Sequence, residues 1–214
     1  MSHVAGASAP APGGLDTTAA LIEETGAAAL PLVADLHDRT SLVAALGTVV
    51  DRWGGLDLLV NNAVDTGPGS MVPITELSVE RLATKLEANV VAQFVLICEA
   101  LPTMLAQGGG TIVDVTSHTA TADPPGPVGD GRWGLAYAAS KAAFHRFAPQ
   151  LAVELGDRGI RTYNLDPGYV ETERQQANAA ALGLAGRYAG AHPVPAASRP
   201  CPPRPGELPP WGDG

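Results

Sequence analysis

Buried-strand patterns alternate with helical spacings between residues 29 and 165, and this alternation constrains the fold more than any other feature of the chain. Apolar strands are predicted at 29–34, 56–60, 111–116 and 159–165. Helices are predicted at 16–25, 38–53, 78–106 and 135–157, the first three beginning at Asp16, Asp38 and Ser78. Parallel strands need long crossover connections, which helices of this length provide. The pattern therefore predicts a doubly wound α/β fold of the Rossmann-like class, as a single domain over residues 1–190.

The two ends of the chain have a different composition from the middle. Residues 1–14 are rich in Ala, Gly and Pro, and residues 191–214 hold eight prolines. Proline removes backbone donors and cannot occupy a helix or sheet interior, so the tail at 191–214 is expected to be irregular and disordered.

Charge and hydropathy exclude several classes of partner. The formal net charge is −9 and no basic cluster occurs, which argues against nucleic acid and anionic membranes. No apolar run reaches the roughly 18–20 residues that cross a bilayer, because Gln93, Glu99 and Pro102 interrupt the longest one. Cys98 and Cys201 lie far apart and form no disulfide framework or metal-ligand pattern. We therefore expect a cytoplasmic protein without a metal site.

Tyr137 and Lys141 lie four residues apart in a predicted helix, so their side chains share one face. A free phenol has a pKa of about 10 and exchanges protons poorly at neutral pH. A cation a few ångströms away favours the phenolate by about 1–4 kcal/mol, which would make Tyr137 a working acid or base. Taken alone, the pair could equally be an incidental exposed pair.

The strands are followed by polar or turn-forming residues where a parallel sheet binds its ligands, beyond the carboxyl ends. These residues are Asp35-Leu36, Asn61-Asn62-Ala63, Thr116-Ser117 and Pro167-Gly168. Asn89 adds a polar side chain in mid-helix, where Asn is intrinsically unfavourable and its alternative is an exposed or back-bonded position.

Six motifs in order over residues 29–174 closely resemble the short-chain dehydrogenase/reductase family. They are Asp35-Leu36, Leu58-Leu59-Val60-Asn61-Asn62-Ala63, Asn89-Val90 with Phe94, the strand from Ile112 to Ser117, Tyr137-Ala138-Ala139-Ser140-Lys141, and the segment from Asn164 to Thr172.

The resemblance implies hydride transfer between a small alcohol and a ketone or aldehyde with NAD or NADP. In it, Tyr137 passes a proton to or from the substrate oxygen, and Lys141 lowers the pKa of Tyr137 and holds the nicotinamide ribose. Ser117 hydrogen-bonds the substrate, and Asn89 anchors a water molecule connected to Lys141. The resemblance also implies a homo-oligomer through the helices that bear Asn89 and Tyr137.

The same resemblance assigns contacts along the whole cofactor. Asp35 and Leu36 lie at the adenine, Asn61 and Ala63 line the adenosine side, and the turn from Pro167 to Thr172 covers the nicotinamide. The full set of implied cofactor contacts is Asp35, Leu36, Asn61, Ala63, Asn89, Tyr137, Lys141, Pro167, Gly168, Val170 and Thr172.

Three departures from the family pattern affect these expectations. Val64 stands where the family usually has Gly, and residues 118–136 form a longer connection, expected to lie over the substrate mouth. No G-x-x-x-G-x-G phosphate loop occurs in the sequence, and the chain is expected to be truncated at its N-terminus. The alternative function is a non-catalytic remnant that cannot bind a dinucleotide and acts at most as a binding or oligomerisation module.

Overall fold

The computed structural model describes residues 14–67, 69–128, 133–168 and 170. Their α-helices are α1 (Leu15–Glu24), α2 (Arg39–Trp53), α3 (Val79–Leu86), α4 (Ala92–Ala106), α5 (Leu135–His145) and α6 (Phe147–Leu155). The strands are β1 (Leu58–Asn61), β2 (Gly110–Val115) and β3 (Ile160–Leu165). Short 3₁₀ helices lie at Ile74–Glu76, His118–Ala120 and Gly156–Arg158. The proline-rich tail predicted at 191–214 lies outside the described residues.

The three strands form one parallel sheet in the order β1-β2-β3. In the register, Asp114 of β2 lies between Asn61 of β1 and Asn164 of β3. All three strands therefore run in one direction and bring their carboxyl ends to the same edge. The predicted parallel α/β fold is confirmed for this part of the chain.

Helix α2 begins and ends where the sequence predicts. The Asp38 side chain accepts a hydrogen bond from the Thr40 backbone N–H (3.0 Å), and Gly54 ends the helix with a φ of +76°. Leu42 and Leu46, four residues apart, are its buried residues. The predicted cap of α1 is wrong: Gly14 takes that position and Asp16 lies in the first turn.

The segment predicted as a strand at 29–34 forms none in the structure, and Val33 is 86% exposed. A strand exists only when a neighbour accepts and donates its backbone hydrogen bonds. Within the described ranges no strand lies beside these residues, so the apolar pattern alone does not produce one. The helix predicted at 135–157 is also divided, with α5 and α6 meeting at Arg146.

Residues Val79–Ala106 form one continuous helical segment of 28 residues, in which a π-helical turn at Glu87–Val91 joins α3 to α4. Ser78 caps it as predicted, accepting from the Arg81 N–H (3.3 Å). Its most apolar stretch of 18 residues has a mean hydropathy of 1.6, which is high enough for a membrane span by composition, although Gln93 and Glu99 interrupt the apolar run. The helix also packs on β1 and β2 and buries Lys85, Asn89 and Gln93, so its composition is weak evidence for a membrane.

The main core lies between α4 and the sheet. Its buried members are Leu46, Ile97, Ala100, Met104, Ile112 and Ile160. Because side chains alternate along a strand, Ile112 and Asp114 share one face of β2, and both are fully buried. The core therefore fixes the strand whose carboxyl end leads to Ser117.

A pair of glycine substitutions tests the close approach of two loops at the amino ends of β2 and β3. Gly159 has a φ of +85°, and a Cβ there would lie 2.3 Å from the Gly108 carbonyl oxygen. Gly47 lies within α2, and a Cβ there meets nothing within 4 Å.

We expect Gly159→Ala to lower the free energy of unfolding by at least about 1 kcal/mol, through backbone strain. Gly47→Ala should raise it by up to about 1 kcal/mol, and urea titration measures both. Equal effects of the two variants would contradict this account.

Candidate active site at the carboxyl edge of the sheet

The carboxyl ends of the strands bring three predicted site segments to one edge. Asn61 is the last residue of β1, Ser117 follows β2 by two positions, and Pro167 follows β3 by two positions. Helix α5 carries Tyr137 and Lys141 one turn apart, and both are buried, at 8% and 4% exposure.

The Lys141 ammonium is held beneath the phenol ring. Its Nζ donates to the Val115 carbonyl oxygen (2.7 Å) at the end of β2. The same nitrogen lies 5.9 Å from the centre of the Tyr137 ring and 5.4 Å from that of Phe144. Burial lowers the pKa of Lys141 to about 8, while the Asp114 carboxylate acts to raise it.

The expected lowering of the Tyr137 pKa is wrong for this structure. Burial raises the pKa of the Tyr137 phenol above its ordinary value of 10, and Asp166 adds to the increase. The hydrogen bond with Ser117 acts in the opposite direction but is outweighed. Desolvation dominates because the phenol is largely removed from water, and the phenol is therefore neutral at neutral pH.

The Ser117 side chain is oriented by the turn that follows β2. Its Oγ caps the short helix His118–Ala120 and accepts from the Thr119 backbone N–H (3.3 Å) and the Thr119 hydroxyl (3.1 Å). Since both of these contacts use lone pairs of Oγ, the Ser117 hydroxyl hydrogen is available to donate towards Tyr137 or a substrate oxygen.

Asn89 lies in the π-helical turn and is 2% exposed. Such turns often occur at functional sites. Its Oδ1 accepts from the Asp65 N–H (2.7 Å), and its Nδ2 donates to the Asp65 carbonyl (3.1 Å) and the Ser140 hydroxyl (3.3 Å). Ser140 in turn donates to the Tyr137 carbonyl (2.8 Å). Asn89 therefore joins the loop after β1 to the helix of Tyr137.

A buried ion pair that the sequence analysis missed holds the same loop. Lys85, 1% exposed, donates to Asp65 Oδ1 (2.8 Å), and His37 Nε2 lies 3.5 Å from Asp65 Oδ2. Burial acts to raise the pKa of Asp65, but hydrogen bonds from Lys85 and the Gly67 N–H bring it below the ordinary value. The scarcity of lysine, with only Lys85 and Lys141 in the chain, was the available signal.

The residues predicted to line the adenosine side of the cofactor differ in how far they are buried. Asp35 and Ala63 are exposed and Leu36 is half-buried. Asp35 Oδ1 accepts from the His37 N–H (2.9 Å), forming a local turn. Asn61 differs, because it is 3% exposed and its Nδ2 donates to Asp114 Oδ1 (2.9 Å). The Asn61 side chain therefore faces the sheet interior.

The turn after β3 is described only in part. The Gly168 N–H donates to Asp166 Oδ1 (3.0 Å), and Gly168 has a φ of +66°. Pro167 and Val170 are exposed, which leaves them accessible at the edge. Thr172 lies outside the described residues.

Trp133 stacks on the Tyr137 ring, with centroids 4.0 Å apart and planes inclined by 23°. The position four residues before Tyr137, just before α5 begins, was the only signal in the sequence. The stack restricts one face of the phenol ring. Among the described residues, no three His, Cys, Asp or Glu side chains gather as possible metal ligands.

Known proteins are similar to this chain in both sequence and fold. A family model for short chain dehydrogenases matches residues 4–182. The chain is 31% identical over 170 residues to 2-(R)-hydroxypropyl-CoM dehydrogenase of Xanthobacter autotrophicus, a match covering 76% of this chain and 65% of that protein. It is 36% identical over 140 residues to D-threitol dehydrogenase of Mycolicibacterium smegmatis, covering 65% of this chain and 50% of that one.

Solved structures of dehydrogenases are similar to this chain in fold. A crystal structure of NAD⁺-bound xylitol dehydrogenase is similar with a TM-score of 0.67 and 25% identity, over 77% of this chain and 60% of that chain. A gluconate 5-dehydrogenase from Burkholderia cenocepacia, in complex with NADP and tartrate, has a TM-score of 0.64 and 26% identity, over 75% of this chain and 59% of that chain.

The chain spans about half to two thirds of the length of the first relatives it matches. The family match, however, covers most of the chain itself, including all three strands and the helix that carries Tyr137 and Lys141. Sequence, fold and the grouping of these side chains agree, and the chain therefore belongs to the short chain dehydrogenase family.

Proposed function

We propose that this protein is an NAD- or NADP-dependent oxidoreductase that interconverts a small alcohol and a ketone or aldehyde. One observation carries the proposal: the buried phenol of Tyr137 interacts with the Ser117 hydroxyl and lies one helical turn from the Lys141 ammonium. The dehydrogenase names of the relatives support the same reaction class.

Tyr137 is the proton donor in the reductive direction. Because burial raises its pKa, the phenol keeps its proton at neutral pH and can give it to a carbonyl oxygen. Ser117 donates its hydroxyl hydrogen to the same oxygen and stabilises the negative charge that develops there. When bound, the nicotinamide supplies or accepts the hydride.

Lys141 has the chemistry to hold a ribose. An ammonium has three N–H donors, and within the described ranges one of them is committed, to the Val115 carbonyl. The other two can donate to vicinal ribose hydroxyls. The residues present therefore fit the nicotinamide half of a dinucleotide, with Asn89, Tyr137, Lys141, Pro167, Gly168, Val170 and Thr172 as its proposed contacts.

Asp35, Leu36, Asn61 and Ala63 are the proposed contacts of the adenosine half. The exposed Asp35 and Ala63 suit this role better than the Asn61 side chain, which is committed to Asp114. The sequence holds no glycine-rich phosphate loop, and this favours the non-catalytic remnant as the second candidate.

Titration with NADH and with NADPH separates the two candidates. Ligand at about a hundred times its Kd stabilises a protein by about 2.7 kcal/mol, so the Tm should rise by about 5 °C or more. Trp133 stacks on Tyr137, so its fluorescence should change on binding, and Trp133→Phe should remove that change while the Tm shift persists. Neither a Tm shift nor a fluorescence change with either nucleotide would favour the remnant.

The assembly and location of the protein are also proposals. Phe94, 50% exposed on α4, leaves apolar surface on the helix that continues from Asn89, which suits a homo-oligomer through this helix and α5. A cytoplasmic location, without nucleic acid or membrane as a partner, stays a prediction from composition, whereas a small-molecule substrate is supported by the dehydrogenase relatives.

A further inference from the structure

Asp114 is a fully buried carboxyl group in the middle of the sheet. It lies on the central strand β2, is 0% exposed, and shares a face of that strand with Ile112 of the core. Its neighbours in the register are the neutral amides Asn61 and Asn164. A carboxylate in such a place costs free energy unless it is hydrogen-bonded and faces a positive charge.

The hydrogen bonds of Asp114 are incomplete. Asn61 Nδ2 donates to Asp114 Oδ1 (2.9 Å). Over the described part of the chain, Asp114 Oδ2 and Asn61 Oδ1 are buried atoms without a hydrogen-bond partner. A buried oxygen left in this state needs an explanation other than packing.

Lys141 approaches β2 at the residue after Asp114, and within the described ranges no direct ion pair joins the two side chains. Its ammonium donates to the carbonyl of Val115, the residue that follows Asp114, and the Lys141 residue as a whole is 4% exposed. Asp114 acts to raise the pKa of Lys141, and Lys141 acts to lower that of Asp114. The two groups therefore interact as charges within a largely desolvated region, where Coulomb interactions are strong.

We propose that Asp114 is a positioning residue that acts through Lys141: its buried carboxylate, anchored by Asn61, is the counter-charge that keeps the Lys141 ammonium charged beneath Tyr137. The proposal rests on the proposed function for its catalytic meaning, because Lys141 is the residue that holds the ribose there.

The direction of each pKa gives the pH range of this charge pair. Burial raises the pKa of Asp114 from 3.8 to about 6, so its contribution to stability is present below pH 3.8 and lost as the pH rises through about 6. The pKa of Lys141 falls from 10.5 to about 8, so its contribution is present above pH 10.5 and lost as the pH falls through about 8. Between about pH 6 and 8 the fold carries both charges at a cost in stability, a pattern typical of functional groups.

Other titratable groups lie near Asp114 and Lys141, but they do not supply the counter-charge of Lys141. On α5, Tyr137 is neutral in this range, and burial together with Arg146 lowers the pKa of His145, which favours its uncharged form. Asp166, after β3, acts on Tyr137. The groups on the flanking strands β1 and β3, Asn61 and Asn164, carry no charge, so the negative charge that acts on Lys141 is that of Asp114.

The test is an NMR titration of the full chain without nucleotide. The chain holds two lysines, so ¹³C-labelled lysine gives two side-chain signals, assigned with Lys141→Met. We expect Asp114→Asn to lower the titration midpoint of Lys141 by about one pH unit or more, because an opposite charge nearby is worth about 1–3 units. This corresponds to an about tenfold lower ratio of ammonium to amine at a given pH.

Asp65→Asn is the matched control, because Asp65 pairs with Lys85 and should leave the Lys141 midpoint unchanged. The wild-type carboxyl signal of Asp114 gives a second measurement that needs no variant, and it should lose its proton before Lys141 does. An unchanged Lys141 midpoint in Asp114→Asn overturns the proposal, as does an Asp114 that stays protonated above the Lys141 midpoint. Since no nucleotide is present, these results are separate from a failure to bind NADH or NADPH.

Discussion

Tyr137→Phe should reduce the turnover of a carbonyl substrate by about 10²–10⁴-fold, the usual contribution of a positioned general acid. The variant removes the phenolic hydroxyl and keeps the ring, which stacks on Trp133 and is 8% exposed. The fold should therefore persist while the proton donor is lost. The measurement is substrate-dependent oxidation of NADH or NADPH, followed by absorbance, together with thermal unfolding.

Tyr163→Phe is the control for this variant. Tyr163 lies on β3, is 42% exposed and takes no part in the site, so the loss of its hydroxyl should leave turnover unchanged. A Tyr137→Phe protein with turnover close to that of wild type would remove Tyr137 from the mechanism.

The pH dependence of stability gives a second readout for Tyr137. Its folded pKa is raised, so its contribution to stability is present below about pH 10 and lost as the pH rises through the folded value. Above that value, the wild-type protein should lose stability that Tyr137→Phe retains.

Ile112→Ala should lower the free energy of unfolding by about 2–5 kcal/mol, the range measured for large-to-small changes in protein cores. Ile112 is 0% exposed on the central strand and belongs to the core cluster with Ile97 and Met104. Removing its outer carbons would leave a cavity between α4 and β2, which well-packed neighbours fill only in part. Urea unfolding measures the loss.

Val153→Ala is the matched control, because Val153 is 68% exposed on α6 and its truncation should change the free energy by no more than about 0.5 kcal/mol. Equal losses in the two variants would mean that the core does not lie between α4 and the sheet.

Local signals in the sequence were sufficient to predict most of the helices and strands and the order of the site segments along the chain. Asp38 and Gly54 bound α2 because a side-chain cap and a left-handed residue act within one turn of the helix. The four-residue spacing of Tyr137 and Lys141 placed both on α5, because helical periodicity is also local. The positions of Asn61 at the end of β1 and of Ser117 just beyond β2 were predicted from apolar runs that end in polar residues.

The environment of each site residue depended on non-local contacts. Residues 29–34 have the composition of a strand but form none, since a strand needs a neighbour and not only a pattern. The pKa of Tyr137 is raised and not lowered, because burial by the surrounding fold outweighs the effects of neighbouring groups. Neither outcome can be read from spacing along the chain.

By itself, the sequence determined the parallel α/β class, the limits of most helices and the family, because caps, periodicity and motif order are properties of neighbouring residues. Only the tertiary structure decided that Lys85 pairs with Asp65, 20 positions away, and that Asp114 meets Asn61, 53 positions away. Charges acquire these roles through burial, since the free energy of a buried charge depends on which distant groups replace its water.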